Sequence, residues 1–371
     1  MVIFAVAACR SAKSESLPML RNSSSLMGDR YYPMGRESSV TRRGKMNQAT
    51  FRTLAALTVS FLLATAAQAA SLYSKDGLTY DLKGDFQIQL RQDPGQDMQP
   101  DVEYDDLELK NKITYQLDEN MSAFAGLDYG FKKAADKPDT GGNPHIEEAY
   151  VGLGYGDCSL SLGRTSNASD GFGVEMSIEE MIEDAFNKAG KEDGDDLVKF
   201  VGKFDNIKVV ASHEFAGKSK DMSSKSYGKY SDILVKAKVA GLELGAAYQK
   251  YQAYKGLNTK GQPTFNEAVD IWGVSAAYDA KVVKLAADYS VAEDNQAIIN
   301  VAASVPVGKQ VKVAAGYVSQ DFDDATKDDV VGWYANVARK LNKKVNIFAE
   351  VQDSDAKNVE IGYLAGMQVK F

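Results

Sequence analysis

Residues 80–91 read YDLKGDFQIQLR. Tyr80, Leu82, Gly84, Phe86, Ile88 and Leu90 fall on one side of an extended chain, and Asp81, Lys83, Asp85, Gln87, Gln89 and Arg91 on the other. Successive side chains of a strand point to opposite faces, so this period of two sets one face against apolar surroundings and the other against water. Residues 106–117 repeat it, with Leu107, Leu109, Ile113 and Tyr115 opposed to Asp106, Glu108, Lys110, Lys112, Thr114 and Gln116. Working outward, the beat continues to the last residue. It predicts sixteen strands, over 79–91, 104–117, 121–132, 146–155, 158–164, 196–204, 206–215, 229–239, 241–253, 267–279, 282–292, 296–305, 310–321, 328–340, 344–354 and 357–371.

The connections alternate in length. Residues 118–120, 205–206, 240–241, 280–281 and 341–343 are tight turns; 92–103, 133–145, 216–228, 254–266 and 322–327 are longer and polar. Short turns on one rim and long loops on the other mark a transmembrane β-barrel, whereas a sandwich has no such rhythm. Tilted strands of this length also fit an apolar band about 25 Å tall. Lys83, Asp85, Gln87 and Arg91, joined by Asp128 and Lys132, cannot pack a dry interior unpaired, so the polar faces line a wet lumen. Tyr80, Tyr115, Tyr129, Phe131, Tyr155, Trp333 and Tyr363 sit near strand ends, as an interfacial girdle requires. The fold class is therefore all-β: a 16-stranded antiparallel transmembrane β-barrel.

One stretch breaks the beat. Residues 165–196 read TSNASDGFGVEMSIEEMIEDAFNKAGKEDGDD, with ten acids against two lysines. Met176, Met181, Ile182 and Phe186 have the spacing of a helix face, with Glu179, Glu180, Glu183 and Asp184 on the other side. The apolar set is expected to pack and the acids to face solvent. So long an insert in an all-strand chain calls for a functional role.

The N-terminal segment differs from the rest. Residues 47–70 read NQATFRTLAALTVSFLLATAAQAA, with basic Arg52, an apolar run over 54–67 and the small-residue cleavage signal 67–69. This is the pattern of a secretory signal peptide, over 46–69 with Met46 as its start. Residues 1–45 are rich in Ser and Arg without periodicity, and are expected to be a misassigned upstream start or a disordered extension. Residues 70–371 form the barrel domain. Without residues 1–70 the chain keeps 34 Lys/Arg against 48 Asp/Glu, a net charge of −14. That balance argues against nucleic acid as a partner and favours cations. The segment holds one cysteine, Cys158, and no apolar run long enough for a spanning helix.

Both ends resemble the general porins of Gram-negative outer membranes. The opening LYSKDGLTYDLKGDFQIQLR (72–91) is similar to the family's first strand, and YLAGMQVKF (363–371) to its last, with Tyr363, Ala365, Met367, Val369 and Phe371 on one face. EEAYVGLGYGDCSLSLGR (147–164) resembles the strand pair leading into the family's constriction loop. The resemblance implies a water-filled barrel, usually a homotrimer, whose fifth-strand loop folds inward and narrows the lumen. It makes 165–196 that loop, with Asp170, Glu175, Glu179, Glu180, Glu183 and Asp184 as its pore-facing acids. It also implies that Phe371 is the assembly signal read by the barrel-assembly machinery, and that lipopolysaccharide and outer-membrane lipid surround the barrel.

In the family this loop faces a ladder of bases. Here the matching wall positions fall on Asp106 and Glu147, and the basic candidates are Lys83, Arg91, Lys110, Lys112, Lys199 and Lys203 beside Asp85. The loop lacks the family's proline, reading Asp170 to Glu175 as DGFGVE. A thin basic half predicts a cation-preferring eyelet. Small hydrophilic solutes and ions are the expected cargo, with no cofactor, no metal and no catalysis. His145 and His213 are the only histidines; no G-x-S-x-G elbow or Cys/His cluster accompanies them. A sugar-selective channel would show an aromatic track, and a phosphate channel a basic excess. A barrel-borne enzyme or adhesin is the reading from another class.

Overall fold

The computed structural model describes residues 70–95, 99–132, 135, 143–215 and 228–371. The expected signal peptide over 46–69 and the segment 1–45 lie outside these residues, as do parts of three long loops.

The described strands form one antiparallel sheet. In chain order they are β1 (Ala70–Lys75), β2 (Leu78–Gln92), β3 (Asp101–Gln116), β4 (Met121–Gly130), β5 (His145–Tyr155), β6 (Cys158–Ser166), β7 (Asp193–Phe204), β8 (Ile207–Glu214) and β9 (Gly228–Val239). There follow β10 (Leu242–Leu257), β11 (Pro263–Phe265), β12 (Val269–Asp279), β13 (Lys284–Ala292), β14 (Gln296–Val307), β15 (Val311–Phe322), β16 (Val330–Lys340), β17 (Val345–Ser354) and β18 (Gly362–Lys370). Each barrel strand pairs with the next, β10 pairing with β12, and β18 pairs with β2, closing the ring. Sixteen strands, β2–β10 and β12–β18, make the barrel. The two extra ones are short: β1 folds back on β2, and β11 folds back on the outer end of β10. The stretch expected as a loop over 254–266 is therefore partly strand.

The expected turns have the required backbone. Ala240 and Gly241 both take positive φ (50° and 86°), as do Asp76 and Gly77 (53° and 79°), the signature of a two-residue hairpin turn matched to strand twist. Asp205 and Lys281 also carry positive φ (50° and 67°). The alternation of loop lengths has one exception: residues 293–295, between β13 and β14, make a short connection on the long-loop rim.

The burial pattern is inside out. Gln89, Gln249, Gln352 and Ser290 are fully buried, while Leu90, Ile113, Val151, Leu162, Leu244, Val274 and Val301 are exposed. A water-soluble protein would not expose so continuous an apolar surface. Closing the sheet leaves no unpaired edge for lipid to desolvate, so the apolar face can stand in hydrocarbon. Tyr115, Tyr155 and Tyr278 end the outward face at the short turns, and Tyr129, Trp272, Tyr289, Trp333 and Tyr363 at the long-loop rim.

The last residue has a built seat. The Phe371 N–H donates to the Gly84 carbonyl at 3.1 Å, and the Gly84 N–H donates to the Phe371 carbonyl at 3.0 Å. A β-carbon at Gly84 would overlap the Phe371 ring, which also meets Phe86 edge-on at 5.8 Å. Along the same edge of β2, β18 covers residues 85–92 and β1 covers 78–82, so β18 and β1 run head to tail across Phe371.

Candidate channel constriction

Between β6 and β7 the chain turns into the barrel. It is not the helix that the apolar spacing suggests. A 3-10 turn at Ser169–Gly171 and one short helix, α1 (Ala185–Ala189), are the regular pieces; the residues between are bent or extended. Extended chain spans more wall per residue than helix, so a few residues reach across many strands. The apolar residues still pack: Met176, Ile182 and Phe186 are buried and Met181 half-buried. They meet the lumen wall itself. Phe186 packs against Phe172, ring centroids 5.1 Å apart and tilted, in a cluster with Leu234, Ala247 and Ile271. Glycine leaves room for this docking: a β-carbon at Gly273 would overlap the Phe172 ring, and one at Gly332 the end of Met181.

The loop's backbone donors are taken up by wall side chains, since a buried N–H must find an acceptor. Asp232 of β9 accepts from the N–H groups of Ala168 and Ser169, each at 2.9 Å. Ser212 of β8 accepts from Ala168 at 3.0 Å, and Asp288 of β13 from Val174 at 3.1 Å. The Tyr334 hydroxyl accepts from Met176 N–H at 2.7 Å, while Asn336 donates to the Met176 carbonyl at 2.8 Å. Glu350 of β17 accepts from Ile178 and Glu179 N–H at 2.7 and 3.1 Å. Beyond it the Glu179 side chain pairs with Arg91 on β2 at 2.9 Å and accepts from Gln89 at 2.7 Å. The loop thus tracks along the wall from β8 to β2, across the lumen from β3–β7.

The six loop acids have different surroundings. Glu179 is tied to Arg91 as above. Glu175 accepts from Asn300 at 2.7 Å, and Asp184 caps α1 by accepting from Phe186 and Asn187 N–H at 2.8 and 3.2 Å. Glu183 pairs with Lys188 at 3.0 Å. Glu180 is exposed to the lumen, and Asp170 lies near Lys199. Burial pushes Asp184 up to about 7, with the charge of Glu175 adding to it. Burial does the same to Glu192, up to about 7, reinforced by Asp184 and Asp170. Glu175 and Glu179 are raised as well, by burial first and by neighbouring acids after it.

On the facing wall, cross-strand register sets Lys83, Asp85, Asp106, Lys110 and Lys112 on the lumen side. Asp85 pairs with Lys370 at 2.7 Å, and Lys110 with Glu108 at 2.6 Å and Asp128 at 3.2 Å. Asp106 stands opposite Gln87, beside a bulge that also turns Asp105 onto Gln87 at 2.5 Å. Glu147 lies at a second bulge, bonded to His145 at 2.5 Å. Lys199 donates to the Ser166 carbonyl at 2.7 Å, at the root of the loop, and Lys203 points into the lumen near the short turns. His213 faces outward, against Phe215 and Ser231. Sequence reasoning missed the loop's anchors, Asp232, Asp288, Asn336 and Glu350. All lie on the polar face of a strand, and that alternation was their one available signal.

A closed sixteen-stranded sheet, apolar outside, polar within and narrowed by an inward loop, defines an outer-membrane channel barrel. The chain belongs to the Gram-negative porin family, whose sequence model matches residues 53–359. It is 26% identical over 344 residues to the porin-like protein H of Photobacterium profundum, spanning 86% of this chain and 99% of that one. Its fold is similar to that of OmpT of Vibrio cholerae in its trimer form, with TM-score 0.64 and 18% identity over 80% of this chain and all of that one. It is also similar to the anion-selective porin of Comamonas acidovorans, with TM-score 0.61 and 15% identity over 79% of this chain and all of that one. The protein is an outer-membrane porin, and its working part is a lumen.

Proposed function

We propose that the channel passes small hydrophilic solutes by diffusion and favours cations. The observation that carries this is the imbalance at the constriction. Residues 167–192, folded into the lumen, hold seven acids against Lys188 and Lys191. On the facing wall Arg91, Lys110 and Lys370 are each held by acids, which leaves Lys83, Lys112 and Lys199, with Lys203 nearer the short turns, as the basic contribution against Asp106 and the exposed Glu180. Negative charge in a passage with low-dielectric walls raises the local cation concentration and lowers that of anions.

The trimer form of the Vibrio cholerae relative and the seat of Phe371 support a homotrimer whose C-terminal strand is the handle for barrel assembly. Lipopolysaccharide and lipid would then surround the apolar belt, and removal of residues 46–69 would free the start of β1. Planar-bilayer recording is the test. Reconstituted protein should give large, steady conductance steps. Replacing Glu179, Glu180 and Glu183 by Gln should weaken cation preference while the steps persist; unchanged selectivity would remove these acids from the filter.

A further inference from the structure

The fixed charges of the lumen are divided along its axis. Lumen-facing Lys203, Lys208 and Lys236 lie in one row, 203 opposite 208 and 208 opposite 236, on β7, β8 and β9. Lys284 on β13 acts electrostatically on both Lys236 and Lys312, and Lys340 on Lys312, so the basic arc continues round the wall. Its position along the axis follows from the strands. Lys208, Lys236, Lys284 and Lys340 are each four residues from a loop anchor on the same strand (Ser212, Asp232, Asp288 and Asn336), always toward the short-turn rim. Four strand residues span about 13 Å. The arc is thus a second storey beneath the acidic loop, in the half of the channel that short turns mark as periplasmic.

Of the described acids, Glu243 stands within ion-pair distance of Lys236 and Lys238, at 3.9 and 2.8 Å. Among the described residues, Lys203, Lys208, Lys284 and Lys312 have no acid within ion-pair distance, and all four are exposed to the lumen. Like charges directly opposite across a strand pair are destabilising, so the row Lys203–Lys208–Lys236 is costly without counter-ions. The wall between the lysines is small, with Gly245, Ser275, Ala277 and Ala286, and leaves the side chains free to converge on a solute.

We propose that this arc is a binding track for multivalent anions, small solutes carrying two or more phosphate or carboxylate groups, placed in series with the acidic constriction. The inference rests on the channel reading above. An acidic storey over a basic one makes the pore a bipolar conductor, so ions of both signs accumulate under one polarity and deplete under the other. Current through a single channel should therefore rectify. The effect should be strong at about 0.1 M salt and lost at about 1 M, where screening shortens to a few ångströms.

Single channels in planar bilayers test this, with inorganic tripolyphosphate added to each compartment in turn. Block should be reached at lower concentration from one side. The variant carrying Lys208→Gln, Lys236→Gln, Lys284→Gln and Lys312→Gln should weaken that block about tenfold or more and make the current–voltage curve symmetrical. The same four positions changed to Arg should keep both properties. Steps at high salt equal to the parent's would show the variant barrel intact; if the fourfold variant does not insert, Lys236→Gln and Lys284→Gln singly should show smaller shifts of the same sign. Equal block from both sides, or block and rectification unchanged by the Gln substitutions, would overturn the proposal. Absence of any conductance in the parent would instead overturn the channel reading.

Discussion

Glu350 shows how one residue sets the width of the passage. It is almost fully buried, accepts two loop N–H groups and one Asn336 amide hydrogen, and thereby fixes the stretch that carries Glu179 to Arg91. Changing it to Ala leaves those donors without a partner, at about 1–3 kcal/mol for each buried group. Glu350→Ala should therefore loosen the loop, giving larger and noisier conductance steps, whereas Glu350→Gln keeps an acceptor and should lie between. Steps identical to the parent's would mean the loop is held elsewhere. Gly273→Val makes the same point from the apolar side, because its side chain would take the space of the Phe172 ring. It should release the Phe172–Phe186 cluster and raise the step size, read in the same recordings. Neither residue stood out in the sequence. A polar residue on the wet face of a strand and a glycine on that face read as lumen lining; their partners in the loop lie more than 90 residues away, and no local pattern encodes such pairings.

The loop as an element is governed by crowded acids. Asp184 faces Glu175 and Glu180 from the loop and Asp288 from β13; Glu192 faces Asn187, Glu183 and Asp170, with Lys188 the nearby base. Both acids titrate near 7, well above the roughly 4 of a free carboxyl. An acid raised in the folded state holds more protons there than in the unfolded chain between those values. Its contribution to stability therefore falls as pH rises through that window and is regained on acidification. Lowering pH from about 8 to about 5.5 should thus reduce cation preference with a midpoint near neutrality while settling the loop against the wall. Selectivity measured across that range checks it; a flat profile, or a midpoint near pH 4, would place the governing acids in open water. The position of this element was legible as a break in a strand rhythm, and so was its acidity. Its conformation was not, because spacing reports which residues seek apolar contact and not whether a helix or a bent chain brings them to it.

At the scale of the whole molecule, alternation carried most of the fold. Strand number, face assignment and the outward set ending in Phe371 follow from a period of two, since a one-residue slip would turn every lysine and aspartate of β2 into lipid. Boundaries were less legible where β3 and β10 run past the apolar band, because water and loop partners impose no pattern there. The basic wall was sought opposite the loop, where it is thin; the largest basic group lies under the loop instead, on strands distant in sequence. Phe371 belongs to the molecule's closure. Gly84→Val should crowd its ring and lower the yield of the barrel that migrates as a compact species when unheated on a denaturing gel, with Phe371→Ala acting in the same direction; parental yield in both would deny the seat a role in assembly. The proposed function is that of a water-filled channel whose constriction favours cations. The zero-current potential of membranes holding many channels, under a tenfold potassium chloride gradient at neutral pH, tests it most directly. A potential of the sign set by potassium is expected; no channel current, or a potential of the sign set by chloride, would overturn the proposed function.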